Sequence, residues 1–299
     1  MQRVLFGAID IGTNAGRLLI GYVLTNGGYS RVRQTQLVRV PLRLGDDVFS
    51  TGSISKRKEQ QFVNAMKSFK FLMKSYGVKT YKAYATSAMR EAINKDEIIA
   101  NLYKKTNIHL HTIEGEREAN LIFSTFYTQK LPDHQYMYID VGGGSTELTL
   151  IFNGEKKDSK SFSLGTVRTL KGKTNPAVWD DIENWLRESK IIEKNFAAIG
   201  TGGNINRVAK IHQKKYLEPV TTDEIETTLD EISKLTYDQR IVDLRLKPDR
   251  ADVIIPALEI YLRIMKVANI NEIIVPKMGL ADGMILEQYF DNIDKNNFF

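Results

Sequence analysis

The sequence contains no cysteine. A disulfide framework, a thiolate zinc site and a cysteine nucleophile are therefore excluded. Histidine is scarce, with only His109, His111, His134 and His212. His109 and His111 form an HxH pair that a strand would turn to one face, but two imidazoles are a thin donor set for a metal. No apolar run reaches the roughly 18 residues of a membrane span. The apolar start at residues 4–9 is cut by Asp10, which argues against a signal peptide. A cytoplasmic protein without a membrane partner is expected. No segment is low-complexity. The glycine-rich segments lack the lysine of a P-loop, which disfavours a Walker-type NTPase.

What is present is ordinary in bulk: 299 residues, 42% hydrophobic and 26% charged, with a formal charge of +6. That is enough for one large domain or two ordinary ones. The charge is unevenly placed. Residues 1–125 hold 19 Lys+Arg against 10 Asp+Glu, while residues 126–299 hold 23 against 26. A basic first half suits a polyanionic ligand, although a surface accident would give the same count. No nucleic-acid-binding motif accompanies the positive charge, so no nucleic-acid partner is expected.

Hydrophobic periodicity predicts strands at 4–10, 17–24 and 29–43, then an amphipathic helix at 55–76 opened by Ser55 and closed by Gly77. A strand at 79–85, a helix at 97–105, a short strand at 109–113 and a helix at 116–127 follow. The pattern then restarts with strands at 135–141, 146–152 and 154–162. Next come a helix at 176–189, a strand at 195–199 and a helix at 204–212, then helices near 223–235 and 250–267, a strand at 271–275 and a last helix at 280–289. The restart and the turn LPDH put a boundary at 128–134, giving domains 1–128 and 129–299, with the last helix free to pack back on the first.

The restart is a repeat. FGAIDIGTNAGRLLIGYV (6–23) and MYIDVGGGSTELTLIF (137–152) both read strand, Asp, apolar residue, Gly, small polar residues, strand. At an offset of 130, Asp10 matches Asp140, Gly12 matches Gly142 and Leu18 matches Leu148. Two such units imply duplicated domains facing each other across a cleft. Glycine lets the backbone turn tightly, and successive N–H groups can then cradle phosphate oxygens. Thr13, Asn14, Ser145 and Thr146 add short donors. Asp10 and Asp140 cannot bind phosphate themselves, but they can hold Mg²⁺ or orient a nucleophile. A single DxG turn would be ordinary hairpin chemistry; two copies point to phosphate.

Three further segments stand out. YATSAMREAIN (84–94) puts Thr86, Ser87 and Arg90 after a strand, which is either another anion site or an imperfect capping box. IEGEREAN (113–120) sets Glu114, Glu116 and Glu118 near a helix start; they either complement the helix dipole or include a catalytic carboxylate. FSLGTVRT (162–169) and AIGTGGNINRVAK (198–210) are glycine-bearing strand-to-helix turns, each weak alone. Methionines and aromatics at helical spacing read as core.

Taken in order, DIGTNAGRLLI, YATSAMREAIN, IEGEREANLIF, DVGGGSTEL, SLGTVR, IGTGGNINRVAK and RADVIIPALEIY resemble the exopolyphosphatase and guanosine pentaphosphate phosphohydrolase family over the whole chain. The resemblance implies an α/β fold of two ribonuclease-H-like domains, each a mixed sheet plus helices, of the actin-like ATPase superfamily. It is to a short form without the C-terminal helical domain of longer members. It further implies Mg²⁺-assisted release of terminal phosphate from polyphosphate, or of the 5′-phosphate of guanosine pentaphosphate. The family's catalytic Glu matches Glu118, and its acidic metal or phosphate-site residues match Asp140 and Glu147, to which the repeat adds Asp10. Its first phosphate loop matches the segment with Gly12, Thr13, Asn14 and Arg17, its second the segment with Gly142, Gly143, Gly144, Ser145 and Thr146.

Two departures accompany the match. The usual Ser-Asn-Ser of the first loop is Thr13-Asn14-Ala15, one hydroxyl fewer, and the usual Arg-Glu of the last motif is Ala281-Asp282 within GLADG. Other readings of the same chemistry are a low-activity polyphosphate or alarmone-nucleotide sensor, and an ADP-dependent polyphosphate kinase. A homodimer is the default assembly.

Overall fold

The computed structural model describes residues 3–26, 29–125, 135–189, 191, 196–276 and 278–294; the expected boundary at 128–134 lies outside them. The chain clusters into two compact units, Met1–Lys130 together with Met278–Phe299, and Leu131–Lys277.

The first unit runs β1 (Phe6–Ile11), β2 (Gly16–Asn26), β3 (Tyr29–Val40), α1 (Leu44–Thr51), α2 (Lys56–Ser75), β4 (Thr80–Ala85), α3 (Ser87–Glu91), α4 (Lys95–Thr106), β5 (His111–Thr112) and α5 (Gly115–Ser124). Its sheet has the order β3-β2-β1-β4-β5. β1 pairs antiparallel with β2 and parallel with β4. Every residue of β1 is buried, as a central strand covered on both faces requires. The Ser55 side chain caps α2 by accepting from the Lys58 N–H, and Phe62, Val63, Met66, Phe69 and Met73 form its buried face. The expected strand at 109–113 shrinks to β5, because β4 offers it only Tyr84 and Ala85 as partners. His109 lies outside β5 and packs its ring on Tyr103, 4.4 Å between centroids.

The second unit repeats the plan with β6 (Gln135–Val141), β7 (Thr146–Phe152), β8 (Glu155–Phe162), α6 (Thr166–Leu170), α7 (Val178–Glu188), β9 (Phe196–Thr201) and α8 (Gly203–Ile211). β10 (Val220–Thr221), α9 (Thr222–Ser233), α10 (Tyr237–Val242), α11 (Pro248–Ala251), α12 (Ile254–Val267) and β11 (Glu272–Ile274) complete it. The sheet order is β10-β11-β9-β6-β7-β8, with β6 antiparallel to β7 and parallel to β9 as β1 is to β2 and β4. The expected helix at 250–267 is broken between α11 and α12. Pro256 explains the break: it lacks an N–H and is tolerated only in a first helical turn, so α12 starts afresh at Ile254. β10 and α10 are absent from the expected set. α9 and α10 both open on capping boxes, Thr221 with Glu224 and Thr236 with Gln239. The last helix, α13 (Leu280–Asp294), belongs to the first unit.

Candidate active site

In the first unit the hairpin between β1 and β2 carries the first glycine loop. The register sets Asp10 opposite Arg17, whose guanidinium lies 3.4 Å from the carboxylate. Burial pushes the Asp10 carboxyl above its ordinary range, and Arg17 pulls it back only in part. Asp10 therefore has an opposite charge as its neighbour, unlike the acidic pair described below. The Gly12 N–H donates to the Ala15 carbonyl at 3.0 Å and closes the turn. The Arg43 and Gly45 N–H groups hold the Asn14 and Thr13 carbonyls at 2.8 and 3.0 Å. Arg43 sits at φ 50° and leads into α1. α1 is absent from the sequence expectation, because eight residues with Leu44, Val48 and Phe49 inward are too short to register as a periodicity. Its start braces the first glycine loop.

The equivalent hairpin of the second unit joins β6 and β7. The Gly142 N–H donates to the Ser145 carbonyl at 2.9 Å, as Gly12 does to Ala15. Gly165 presses on this loop: a β-carbon there would lie 2.5 Å from backbone atoms of Gly143 and Gly144. The Thr166 N–H holds the Gly142 carbonyl at 3.0 Å, and the Val167 N–H holds that of Gly143 at 2.8 Å. Buried Arg168 donates from Nε to the Gly144 carbonyl at 2.7 Å. The loop carbonyls are thus tied back by the start of α6, and the amides of Gly143 and Gly144 take no part in those bonds. Thr146 Oγ1 is spent on the Leu164 carbonyl at 2.7 Å.

Asp140 faces Glu147 across this hairpin, at the register position where Asp10 faces Arg17. A carboxylate oxygen of each lies within 4.8 Å of the other. Like charges directly opposite each other destabilise a sheet unless something positive joins them. Glu147 is buried and accepts at Oε1 from Ser145 Oγ at 2.6 Å and Ser161 Oγ at 2.8 Å. Two hard oxygen donors at this spacing fit a Mg²⁺ ion. Ser161 belongs to no motif; only the pairing of Glu147 with Ser161 between β7 and β8 reveals it. Gly202, at φ +104°, brings the 200–203 turn beside this pair, and a β-carbon on it would lie 3.7 Å from Asp140 Oδ1. Below, Tyr138 donates to Thr201 Oγ1 at 2.5 Å and Tyr261 to the Thr201 carbonyl at 2.6 Å, which anchors that turn.

The segment at 84–94 is more committed than its sequence suggests. The Thr86 N–H bonds the Ile11 carbonyl at 3.0 Å, so buried Thr86 does lie beside the first loop. Ser87 Oγ, however, donates to Glu91 at 3.0 Å, and Arg90 donates to the Ile113 carbonyl at 2.6 Å while pairing with Glu114 at 3.6 Å. Arg90 thereby fixes the entry to α5. Glu118 lies half-buried in the first turn of α5, where the helix dipole favours a carboxylate. Among the described residues no histidine belongs to a cluster of three or more metal-compatible groups, and no helix is long and apolar enough to cross a membrane.

Three comparisons bear on this architecture. Exopolyphosphatase 1 of Mycobacterium tuberculosis is 23% identical, over 96% of this chain and 89% of its own. The bifunctional 3-dehydroquinate synthase/phosphatase of Fusobacterium nucleatum is 28% identical over 95% of this chain, which spans about half (46%) of that longer protein. The crystal structure of an exopolyphosphatase from Cytophaga hutchinsonii superposes with a TM-score of 0.81 at 23% identity, covering 96% of this chain and 98% of the other. The shared fold is the two-domain α/β fold of the actin-like ATPases. With the paired glycine hairpins, and with a match to the Ppx/GppA phosphatase family over residues 35–290, the chain belongs to the Ppx/GppA phosphatase family.

Proposed function

We propose that this chain hydrolyses the terminal phosphoanhydride bond of polyphosphate, releasing orthophosphate. The carrying observation is the duplicated hairpin, in which the same Gly-to-carbonyl closure recurs at Gly12 and Gly142 with its carbonyls braced from outside. That arrangement holds amide donors rigidly for phosphoryl oxygens. In this reading Thr13, Asn14 and Arg17, and Gly143, Gly144 and Ser145, bind phosphate groups, with Gly12 and Gly142 closing the two turns and Thr86 beside the first loop. Asp140 and Glu147 would hold Mg²⁺, which would neutralise charge on the transferred group. Asp10, with Arg17 as its partner, orients that guanidinium.

Glu118 is the general base. It takes a proton from the attacking water, whose oxygen forms the new bond to the terminal phosphorus as the bridging P–O bond breaks. The electron pair leaves on the shortened chain, and the released product is orthophosphate. Guanosine pentaphosphate presents the same terminal bond and is the second substrate proposed.

The test is orthophosphate release from tripolyphosphate, long-chain polyphosphate and guanosine pentaphosphate, with and without Mg²⁺ and with and without ADP. Mg²⁺-dependent release without ADP supports the reading. Release only with ADP, accompanied by ATP, would replace it with a kinase. Binding of guanosine tetraphosphate without turnover of any polyanion would replace it with a sensor.

A further inference from the structure

α13 is separated from the rest of the first unit by the whole second unit in sequence, yet it lies between the sheet and α5. On the sheet side, buried Gln288 donates to the Gly7 carbonyl of β1 at 2.9 Å and accepts from Thr80 Oγ1 of β4 at 3.1 Å. Lys82 of β4 pairs with Glu287 and Asp291, 2.7 Å to each. On the other side, Gly283 lies against the α5 backbone. A β-carbon there would overlap the Leu121 carbonyl, so only glycine permits this approach. One turn on, Glu287 bridges the two sides: it forms an ion pair with Arg117 of α5 and accepts from the Tyr84 hydroxyl of β4 at 3.5 Å. Arg117 is the residue before Glu118.

We propose that α13 is the positioning element for Glu118, with Gly283 setting the distance of α5 from the sheet and Glu287 setting its rotation through Arg117. The two contacts divide the task. A close backbone approach fixes how near α5 comes but leaves the helix able to turn about its axis. An ion pair to a neighbouring side chain stops that turning, because consecutive residues on a helix are separated by a fixed angle. Gln288 and Lys82 tie the same helix to β1 and β4, so α5 is referenced to the strand that carries Asp10. Glu287 and Gly283 are positioning residues, since they act through α5. The proposal rests on the reading of Glu118 as the general base.

The test compares the full chain with Glu287→Ala, Glu287→Gln and Gly283→Ala, reading kcat and KM for polyphosphate together with amide hydrogen exchange over residues 115–124. Glu287→Ala is expected to lower kcat by roughly tenfold or more, as small misplacements of reacting groups do, with KM nearly unchanged. Exchange in α5 should quicken while β6 and β7 stay protected, and Glu287→Gln, which keeps an acceptor for Arg117, should recover part of the loss. Where Gly283→Ala fails to fold, the Glu287 pair decides. Unchanged kcat, a loss confined to KM, or lost kcat with unaltered α5 exchange would overturn the proposal. Full turnover by Glu118→Gln would instead bring down the assignment of the base; quickened α5 exchange would then still show that α13 holds the helix, and unaltered exchange would remove that as well.

Discussion

Asp140 and Glu147 stand opposite each other on neighbouring strands, 130 residues after Asp10 and Arg17 stand at the same register position. One hairpin neutralises its buried carboxylate with a guanidinium. The other sets two carboxylates together. The two hairpins share one register and differ in the sign of one partner.

Removing one charge of the acidic pair should separate the cation role proposed for it from its structural role. Glu147→Gln keeps an oxygen for Ser145 and Ser161. Without Mg²⁺ the variant should be more stable than the parent by up to about 1 kcal/mol, because like-charge repulsion across the strands is relieved. The thermal shift on adding Mg²⁺ should shrink, and Mg²⁺ for half-maximal activity should rise about tenfold or more. Calorimetry with and without MgCl₂ reads both; an unaltered Mg²⁺ response would remove the pair as the cation site.

Glu118→Gln should lower kcat by about 10²- to 10⁴-fold, the range for loss of a general base. The melting temperature should hold, because amide and carboxylate have the same shape. Phosphate release and a melting curve on the same sample check this.

Gly165→Ala places a methyl group 2.5 Å from the Gly143 and Gly144 backbone, so the loop must shift. A stability loss of roughly 1–3 kcal/mol is expected from overpacking. KM should rise with it as the amide donors move off the phosphate; denaturant titration and initial rates measure the two effects.

Burial pushes the Asp282 carboxyl up to about 6 from 3.8, with the Gly279 N–H and Arg17 pulling the other way. The folded chain therefore holds this proton more tightly than the unfolded one. The stabilisation is complete below pH 3.8, declines as pH rises towards about 6 and is gone above that. Asp282→Asn keeps an acceptor for the Gly279 N–H, which the carboxylate takes at 3.0 Å. The variant should flatten the stability profile across this window and gain on the parent near neutral pH. Urea titrations at several pH values test it, and parallel profiles would refute it.

The excess of Lys and Arg in the first 125 residues predicts a salt effect. KM for long polyphosphate should climb as ionic strength passes from about 0.05 to 0.5 M, since the Debye length drops to a few ångströms, while kcat changes little. Tripolyphosphate, which reaches fewer surface cations, should show a smaller rise.

The sequence was most legible where one residue's neighbours in the chain are also its neighbours in space. Asp10, Gly12, Asp140 and Gly142 lie in hairpins whose closure is local, so their spacing alone located both loops. The strands β6 and β7 and the helix opened by Ser55 are likewise readable, the strands as short, almost continuous apolar runs and the helix by its periodic buried face. α1, β10 and α10 are not legible because each is too short to establish a period, although the Thr236 capping box marks the start of α10.

Local order along the chain determined that two alike, glycine-turned halves exist and which carboxylates they carry. Pairing across strands and between distant segments decided the rest. It gave Asp10 an arginine and Asp140 a glutamate, committed Ser87 and Arg90 to internal bonds, tied Arg168 behind the Gly144 carbonyl and brought Gly283 against Leu121. Such contacts join residues as far as 281 positions apart, as for Gly7 and Gln288. No period or motif encodes them, because their energy depends on which surfaces meet once the chain has closed.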